Sequence, residues 1–154
     1  MDELVKMLIK KGKTISTMES CTGGGIVNAI TNIPDASKVI KFSAVTYSND
    51  FKIKMGVDSE LINKYSVYSI EVARDMAKKI CQYVKADYGV GVTGKLKKAD
   101  ENNPYGSDDV VYLVIYDYNK DVFYDNVIKL TKDTRKENKE EIIHLFVEKM
   151  LQIL

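Results

Sequence analysis

The chain has 154 residues, with 23 Lys and Arg against 22 Asp and Glu, one His and two Cys. That length suits a single domain over 1–154, because one core commonly serves about 100 to 200 residues, and the near-neutral balance supplies no field to recruit nucleic acid or an anionic membrane. Two cysteines without paired or metal-ligating spacing, no apolar run of the roughly 20 residues that a membrane helix needs, and an acidic pair in "MDELVKMLIKKGK" where a leader wants basic residues together set the expectation of a reduced, cytoplasmic protein.

Leu4, Val5, Leu8 and Ile9 fall at the three-and-four spacing of an amphipathic helix that Gly12 stops. "KTISTM" reads as a strand. After "ESCTGGG", Ile26, Val27, Ile30 and Ile33 continue as an apolar helical face ended by the "IPDAS" turn. "VIKFSAVTY", Val39 to Tyr47, is rich in β-branched and aromatic residues and reads as a second strand. Two short helices follow, one in "SNDFKIKMGV" and one from Asp58 to Tyr65. Ser69 is placed to cap a longer helix with Val72, Met76, Ile80 and Val84 on its apolar face.

"ADYGVGVTG" reads as a third strand ending in Gly94, and residues 95–109 carry loop signals without periodicity. The basic "KLKK" in that loop runs straight into "ADENN" and reads as a solvated turn, not a nucleic-acid contact. "VVYLVIYDYNKDVFYDNVIKL" is a β-hairpin around "YNKD". A last helix carries Ile142, Leu145, Phe146, Met150 and Leu151 on one stripe. The alternation implies an α/β domain: a three-layer α/β/α fold with a mixed, mostly parallel sheet of about five strands, including one hairpin.

"ESCTGGG" lies where a strand gives way to a helix, the position at which open α/β sheets bind ligands. Glycines there let a ligand approach the backbone, and free helix amides favour an anion or oxyanion. The run is neither a Walker loop nor a dinucleotide fingerprint. A structural turn and a binding loop stand level on this evidence, as do Ser20, Cys21 and Thr22 as nucleophiles. The sole His, His144, sits in the last helix, so a base for a hydroxyl has to be sought among lysines kept neutral by burial. "TYSNDFK" places Tyr47, Ser48, Asn49 and Lys52 just after the second strand.

"TMESCTGG", "AVTYSNDFKIKMGV", "YSVYSIEVARDMAKK" and "ADYGVGVTG", in that order, resemble the CinA C-terminal domain of the PncC type, nicotinamide mononucleotide amidohydrolases, over about residues 4–151. The resemblance implies a stand-alone enzyme that hydrolyses the carboxamide of this small-molecule nucleotide in pyridine nucleotide salvage, without metal or other cofactor, as a homo-oligomer. It further implies Ser20 as nucleophile, Lys52 as its base and Tyr47 as an assisting group. Cys21, Thr22, Gly23, Gly24, Asn49, Thr93, Gly94 and Arg135 then fall at substrate-binding positions.

Two segments depart from the family pattern. A Gly- and Pro-rich "GIAGPxGG" loop is replaced by "GKLKKADENNPYGSDDVV", which keeps Gly94. Lys95, Leu96 and Lys97 either fill the pocket there, or the lysines hold phosphate by plain charge. "DTRKENK" keeps Arg135 and offers Lys139 for a second arginine, but loses a glycine. The altered loop also admits two other readings: a different amide substrate, or a relative that binds a nucleotide or protein partner without turnover.

Overall fold

The computed structural model describes residues 1–154. Apolar residues at helical spacing become buried faces at both ends of the chain. In α1 (Asp2–Lys11) Leu4, Val5 and Leu8 are buried, and Gly12 ends the helix in a left-handed conformation, with Lys13 N–H closing on Leu8 O at 2.9 Å. α6 (Arg135–Ile153) buries Ile142, Phe146 and Met150, while Leu145 and Leu151 pack at the margin. A reciprocal cap opens α6: Thr134 Oγ1 accepts from Glu137 N–H, and the Glu137 carboxylate accepts from Thr134 N–H. That cap fixes Arg135 at the first position of the helix.

β1 (Ile15–Glu19), β2 (Ser43–Val45), β3 (Tyr88–Gly94), β4 (Val110–Asp117) and β5 (Val122–Lys129) form one sheet in the order β2-β1-β3-β4-β5. β2 and β3 both run parallel to β1, and β4 is antiparallel to its two neighbours, so four strands point one way and one is reversed. All residues of β1 and β3 are buried, as expected of central strands covered on both faces. α1, α2 (Gly25–Thr31) and α6 cover one face with the main apolar cluster. α4 (Ser59–Tyr65) and α5 (Ile70–Val84) cover the other through Met18, Val72, Met76 and Ile80.

The alternation in "YGVGVTG" explains how α5 sits so close. Val90 and Val92 face the α1/α6 side, while the intervening glycines leave room for α5. A Cβ on Gly89 would lie 2.0 Å from Ala77 O, and one on Gly91 2.2 Å from Ala73 O.

The second strand is shorter than its composition suggests. Only Ser43–Val45 joins the ladder of β1; Val39 and Ile40 are buried after a 3₁₀ turn at Ala36–Lys38. Val39 still accepts Ile15 N–H at 2.8 Å. Their apolar side chains serve the core and not strand pairing, a context in which β propensity gives no guidance. No helix is long and apolar enough to cross a membrane.

Candidate active site

Because β1, β2 and β3 are parallel, their carboxyl ends open at one edge of the sheet. Ser20 follows β1, Tyr47 follows β2 and Gly94 ends β3. Ser20 N–H donates to Val92 O at 3.1 Å, and Gly23 N–H returns to Ser20 O at 2.9 Å, which folds the chain into a tight turn. Gly23 and Gly24 have φ of 64° and 87°, a region that side chains disfavour, so both glycines serve the turn's geometry. The amides of Cys21, Thr22 and Gly24 donate to no protein acceptor in this turn.

The device that holds the turn is Glu19, which is fully buried. Its carboxylate accepts from Thr22 Oγ1 at 2.7 Å, Val27 N–H at 2.8 Å, Ile26 N–H at 3.0 Å and Thr17 Oγ1 at 3.1 Å. It thus caps α2 from the preceding strand and spans the turn that presents Ser20. Sequence reasoning missed it. The available signal was an acidic side chain just before a helix start that lacks any Ser, Thr or Asp at the cap position itself. Thr22 is spent on Glu19, leaving its hydroxyl committed as a structural donor.

α3 (Asn49–Lys54) starts at Ser48, whose hydroxyl accepts Phe51 N–H, and it carries Lys52 inward. Lys52 is 1% exposed, the largest of the fully buried side chains. Its Nζ donates to Thr46 O at 2.7 Å and stands 3.1 Å from Ser20 Oγ. Burial pulls its pKa down from 10.5 to about 8. A neutral Nζ retains two hydrogens and one lone pair, so it can donate to Thr46 O and accept the Ser20 proton together. Beside it, Thr46 Oγ1 is buried without a partner. Cys21 is also buried, and desolvation pushes its thiol up to about 12, which removes it as a thiolate nucleophile near neutral pH.

Two adjoining cavities, of about 260 and 200 Å³, open at this centre, and Ser20, Tyr47, Tyr68 and Asp100 line both. Lys52 and Asn49 line the first; Cys21, Gly94, Lys98 and Arg135 line the second. Tyr47 is 64% exposed, and its hydroxyl accepts from Arg135 Nη2 at 3.3 Å. Gly94 has no room for a side chain, since a Cβ would lie 2.7 Å from Val110 O. Thr93 is fully buried, with its hydroxyl donated to Val67 O at 3.0 Å, and it lines neither cavity. His144 lines neither cavity; it is exposed on α6, 3.2 Å from Glu148. No cluster of three His, Cys, Asp or Glu side chains is arranged to hold a metal ion.

The loop after Gly94 is ordered by its own lysine. Lys95 Nζ is buried and donates to Asp108 Oδ1 at 2.9 Å, Gly106 O at 3.1 Å and Pro104 O at 3.3 Å. Lys97 Nζ donates to Lys132 O at 2.6 Å. Leu96 packs into the core instead of the pocket. Of the basic run, Lys95 and Lys98 line the second cavity, and Lys95 spends its ammonium on the loop's own acceptors. Leu96 and Lys97 both take positive φ, 51° and 62°, a conformation that costs about 1 kcal/mol or more per residue. Burial of Leu96 and the 2.7 Å bond from Lys97 N–H to Asp108 O offset that strain. The far end of the loop is tied to the site by Asn49 Nδ2 donating to Asn103 Oδ1 at 2.8 Å and Tyr68 Oη donating to Asp100 Oδ2 at 2.5 Å.

The sequence and the fold have known counterparts. Residues 1–154 match the family model of the CinA C-terminal domain. The CinA-like protein of Endomicrobium trichonymphae is 35% identical over 150 residues, which is 95% of this chain and 34% of that protein. The CinA-like protein of Flavobacterium psychrophilum is 39% identical over 107 residues, 68% of this chain and 26% of its own length. The chain therefore spans about a third or less of these relatives. Among solved structures, the competence/damage inducible protein CihA of Agrobacterium tumefaciens superposes with a TM-score of 0.85 at 28% identity, over 98% of this chain and 93% of that one. A CinA superfamily protein from Escherichia coli shares the fold with a TM-score of 0.88 at 24% identity, over 99% and 87% of the two chains.

Proposed function

Because the chain belongs to the CinA C-terminal domain family, we propose that its Ser20 and Lys52 form a serine amidohydrolase centre that converts the carboxamide of nicotinamide mononucleotide to the carboxylate and ammonia. The observation that carries the reading is the 3.1 Å approach of a buried Lys52 Nζ to Ser20 Oγ, in a cavity, with the lysine pKa lowered to about 8. A nucleophile within reach of a base poised near working pH is what acyl transfer requires.

Neutral Lys52 takes the Ser20 proton as Oγ bonds to the amide carbon, and the carbonyl oxygen becomes an oxyanion. The unpaired amides of Cys21, Thr22 and Gly24 are the donors available to it. The Lys52 ammonium passes its proton to the amide nitrogen as the C–N bond breaks, and ammonia leaves. Water then adds to the acyl ester, giving its proton to Lys52. Lys52 returns that proton to Ser20 Oγ as the ester C–O bond breaks. The net change is amide plus water to carboxylic acid plus ammonia.

Arg135 and Lys98 supply positive charge for the nucleotide's phosphate, and Tyr47, held by Arg135, connects that end to the reacting centre. The test is ammonia release from nicotinamide mononucleotide by the purified chain, and its loss in Ser20→Ala. Absence of ammonia from the wild type between neutral and mildly alkaline pH overturns the proposal. Calorimetric binding of the intact nucleotide in that case indicates a binding protein without turnover.

A further inference from the structure

The replacement loop brings a carboxylate to a centre that also holds Lys52, Lys98 and Arg135, where the other carboxylate, exposed Asp50, lines the first cavity only. Asp100 lines both cavities together with Ser20. Its partners are the Tyr68 hydroxyl at 2.5 Å, the Asn103 side-chain amide at 3.0 Å and the Asn102 N–H at 3.0 Å, all of them neutral. The hydrogen bond from Tyr68 leads the effects that hold its carboxyl below the ordinary carboxylate range, so the group is anionic at working pH. Arg135, in the second cavity, donates to Lys95 O and the Tyr47 hydroxyl, which are also neutral acceptors. Opposite charges thus face one space, each fixed by neutral groups and unpaired with the other.

A ligand that matches this space carries a cation near Ser20 and an anion farther out. We propose that Asp100 is a specificity-determining residue that selects a positively charged N-substituted pyridine ring over the uncharged dihydropyridine form of the same nucleotide. This rests on the amidohydrolase reading for the placement of the carboxamide at Ser20. With the amide carbon at Oγ, the ring attached to it occupies the space that Ser20 and Asp100 line in common, and its cationic nitrogen is only two ring bonds from the substituted carbon. The negative charge attracts the oxidised ring and is neutral in effect toward the reduced one. The phosphate and ribose are identical in the two forms.

The experiment is isothermal calorimetry of oxidised and reduced nicotinamide mononucleotide on Ser20→Ala, in which both ligands stay intact, and on Ser20→Ala with Asp100→Asn. A unit charge pair a few ångströms apart near a protein surface changes binding by roughly tenfold or more. The Ser20→Ala protein is expected to bind the oxidised form at least about tenfold more tightly. Asp100→Asn, which keeps a side-chain acceptor for Tyr68, is expected to bring the two affinities within about threefold by weakening only the oxidised ligand. Tyr68→Phe retains the charge and is expected to keep the preference, which separates charge from loop order. Equal affinity for both forms in the Asp100 protein, or a preference that survives Asp100→Asn, overturns the proposal. Failure of ammonia release with the calorimetric preference intact overturns the hydrolysis reading instead.

Discussion

Two regions at the same edge of the sheet are built by opposite means. The Ser20 turn is short, fixed by two left-handed glycines, and stitched from inside by the Glu19 carboxylate, which accepts both backbone and hydroxyl hydrogens. The loop from Lys95 to Asp109 is long, and is fixed by a buried ammonium that donates outward to carbonyls and to Asp108. One uses an anion to collect donors; the other uses a cation to collect acceptors. The first fixes the turn that presents the nucleophile. The second shapes a wall whose residues can change while its anchor stays, so substrate selection can vary without disturbing the chemistry.

The largest break in that contrast comes at Lys52, the group on which the turn's chemistry depends. Lys52→Met is expected to lower the rate of ammonia release by about a thousandfold, as loss of a general base commonly does, measured at saturating substrate. In the wild type the rate is expected to rise with pH through about 8, because the base works only when neutral. The sign for stability follows from the same lowered value. Between about 8 and 10.5 the unfolded chain holds the lysine proton and the folded one does not, so this group's contribution to stability rises with pH across that window. Below about 8 both states carry the proton, and the full cost of burying the ammonium, roughly 3 kcal/mol at most, is present. Lys52→Met is expected to abolish that slope in urea denaturation compared at pH 7 and pH 10.

Glu19→Ala attacks the anion that collects donors. It leaves Ile26 N–H, Val27 N–H and the Thr22 hydroxyl without their acceptor in a buried place. The expected cost is about 3 kcal/mol of stability, read by denaturant midpoint, with activity falling further than Gly94 or loop variants of equal stability because the Ser20 turn is released. Glu19→Gln keeps an oxygen acceptor and is expected to recover part of both. If Glu19→Ala unfolds no earlier than wild type, the turn is held by its glycines alone.

These residues also mark how far the chain could be read in advance. Element order, Gly12, the Ser69 cap and the hairpin were legible because each rests on local periodicity or on a turn residue. Spacing left Ser20, Cys21 and Thr22 level. Their separation depends on three-dimensional facts: Lys52 lies next to one, desolvation silences another and Glu19 consumes the third. The resemblance to CinA domains pointed to Ser20, Lys52, Tyr47 and Arg135; the fold brings the first two within 3.1 Å and the last two within 3.3 Å. Thr93 illustrates the converse. It sits at a motif position, yet on a strand buried on both faces its hydroxyl goes to Val67 O. Glu19 escaped detection because an isolated charge reads as solvated until burial is known, and Lys95, read as a pocket filler or phosphate ligand, instead spends its ammonium on Pro104 O, Gly106 O and Asp108 of its own loop.

Lys95→Met tests the cation side of the contrast with a smaller effect. The ammonium's loss leaves Pro104 O and Gly106 O without their donor, while Asp108, half exposed, returns to water. The expected cost is about 2 kcal/mol. Protease cleavage should move into residues 95–109, and KM should rise several-fold with kcat little changed, since Ser20 and Lys52 are held by other elements. A kcat loss as large as that of Lys52→Met would show that the two regions are one unit.

The smallest expected effect lies at the bond that joins them. Asn49 begins α3, the helix that carries Lys52, and its amide donates to Asn103 Oδ1 in the loop at 2.8 Å. Asn103 also donates to Asp100, so its removal reaches the loop's carboxylate as well as α3. Asn103→Ala deletes two neutral or singly charged hydrogen bonds at a half-buried position where water can replace the lost partners. The expected cost is about 1 kcal/mol. If the loop is an independent wall, the consequence is a few-fold rise in KM alone, with the pH profile still governed by Lys52. If the loop instead presses α3 against the sheet, Lys52 gains access to solvent, its pKa moves back toward 10.5, and the alkaline rise in rate shifts upward. The position of that rise in Asn103→Ala, compared with wild type under identical conditions, decides whether loop and nucleophile are separable.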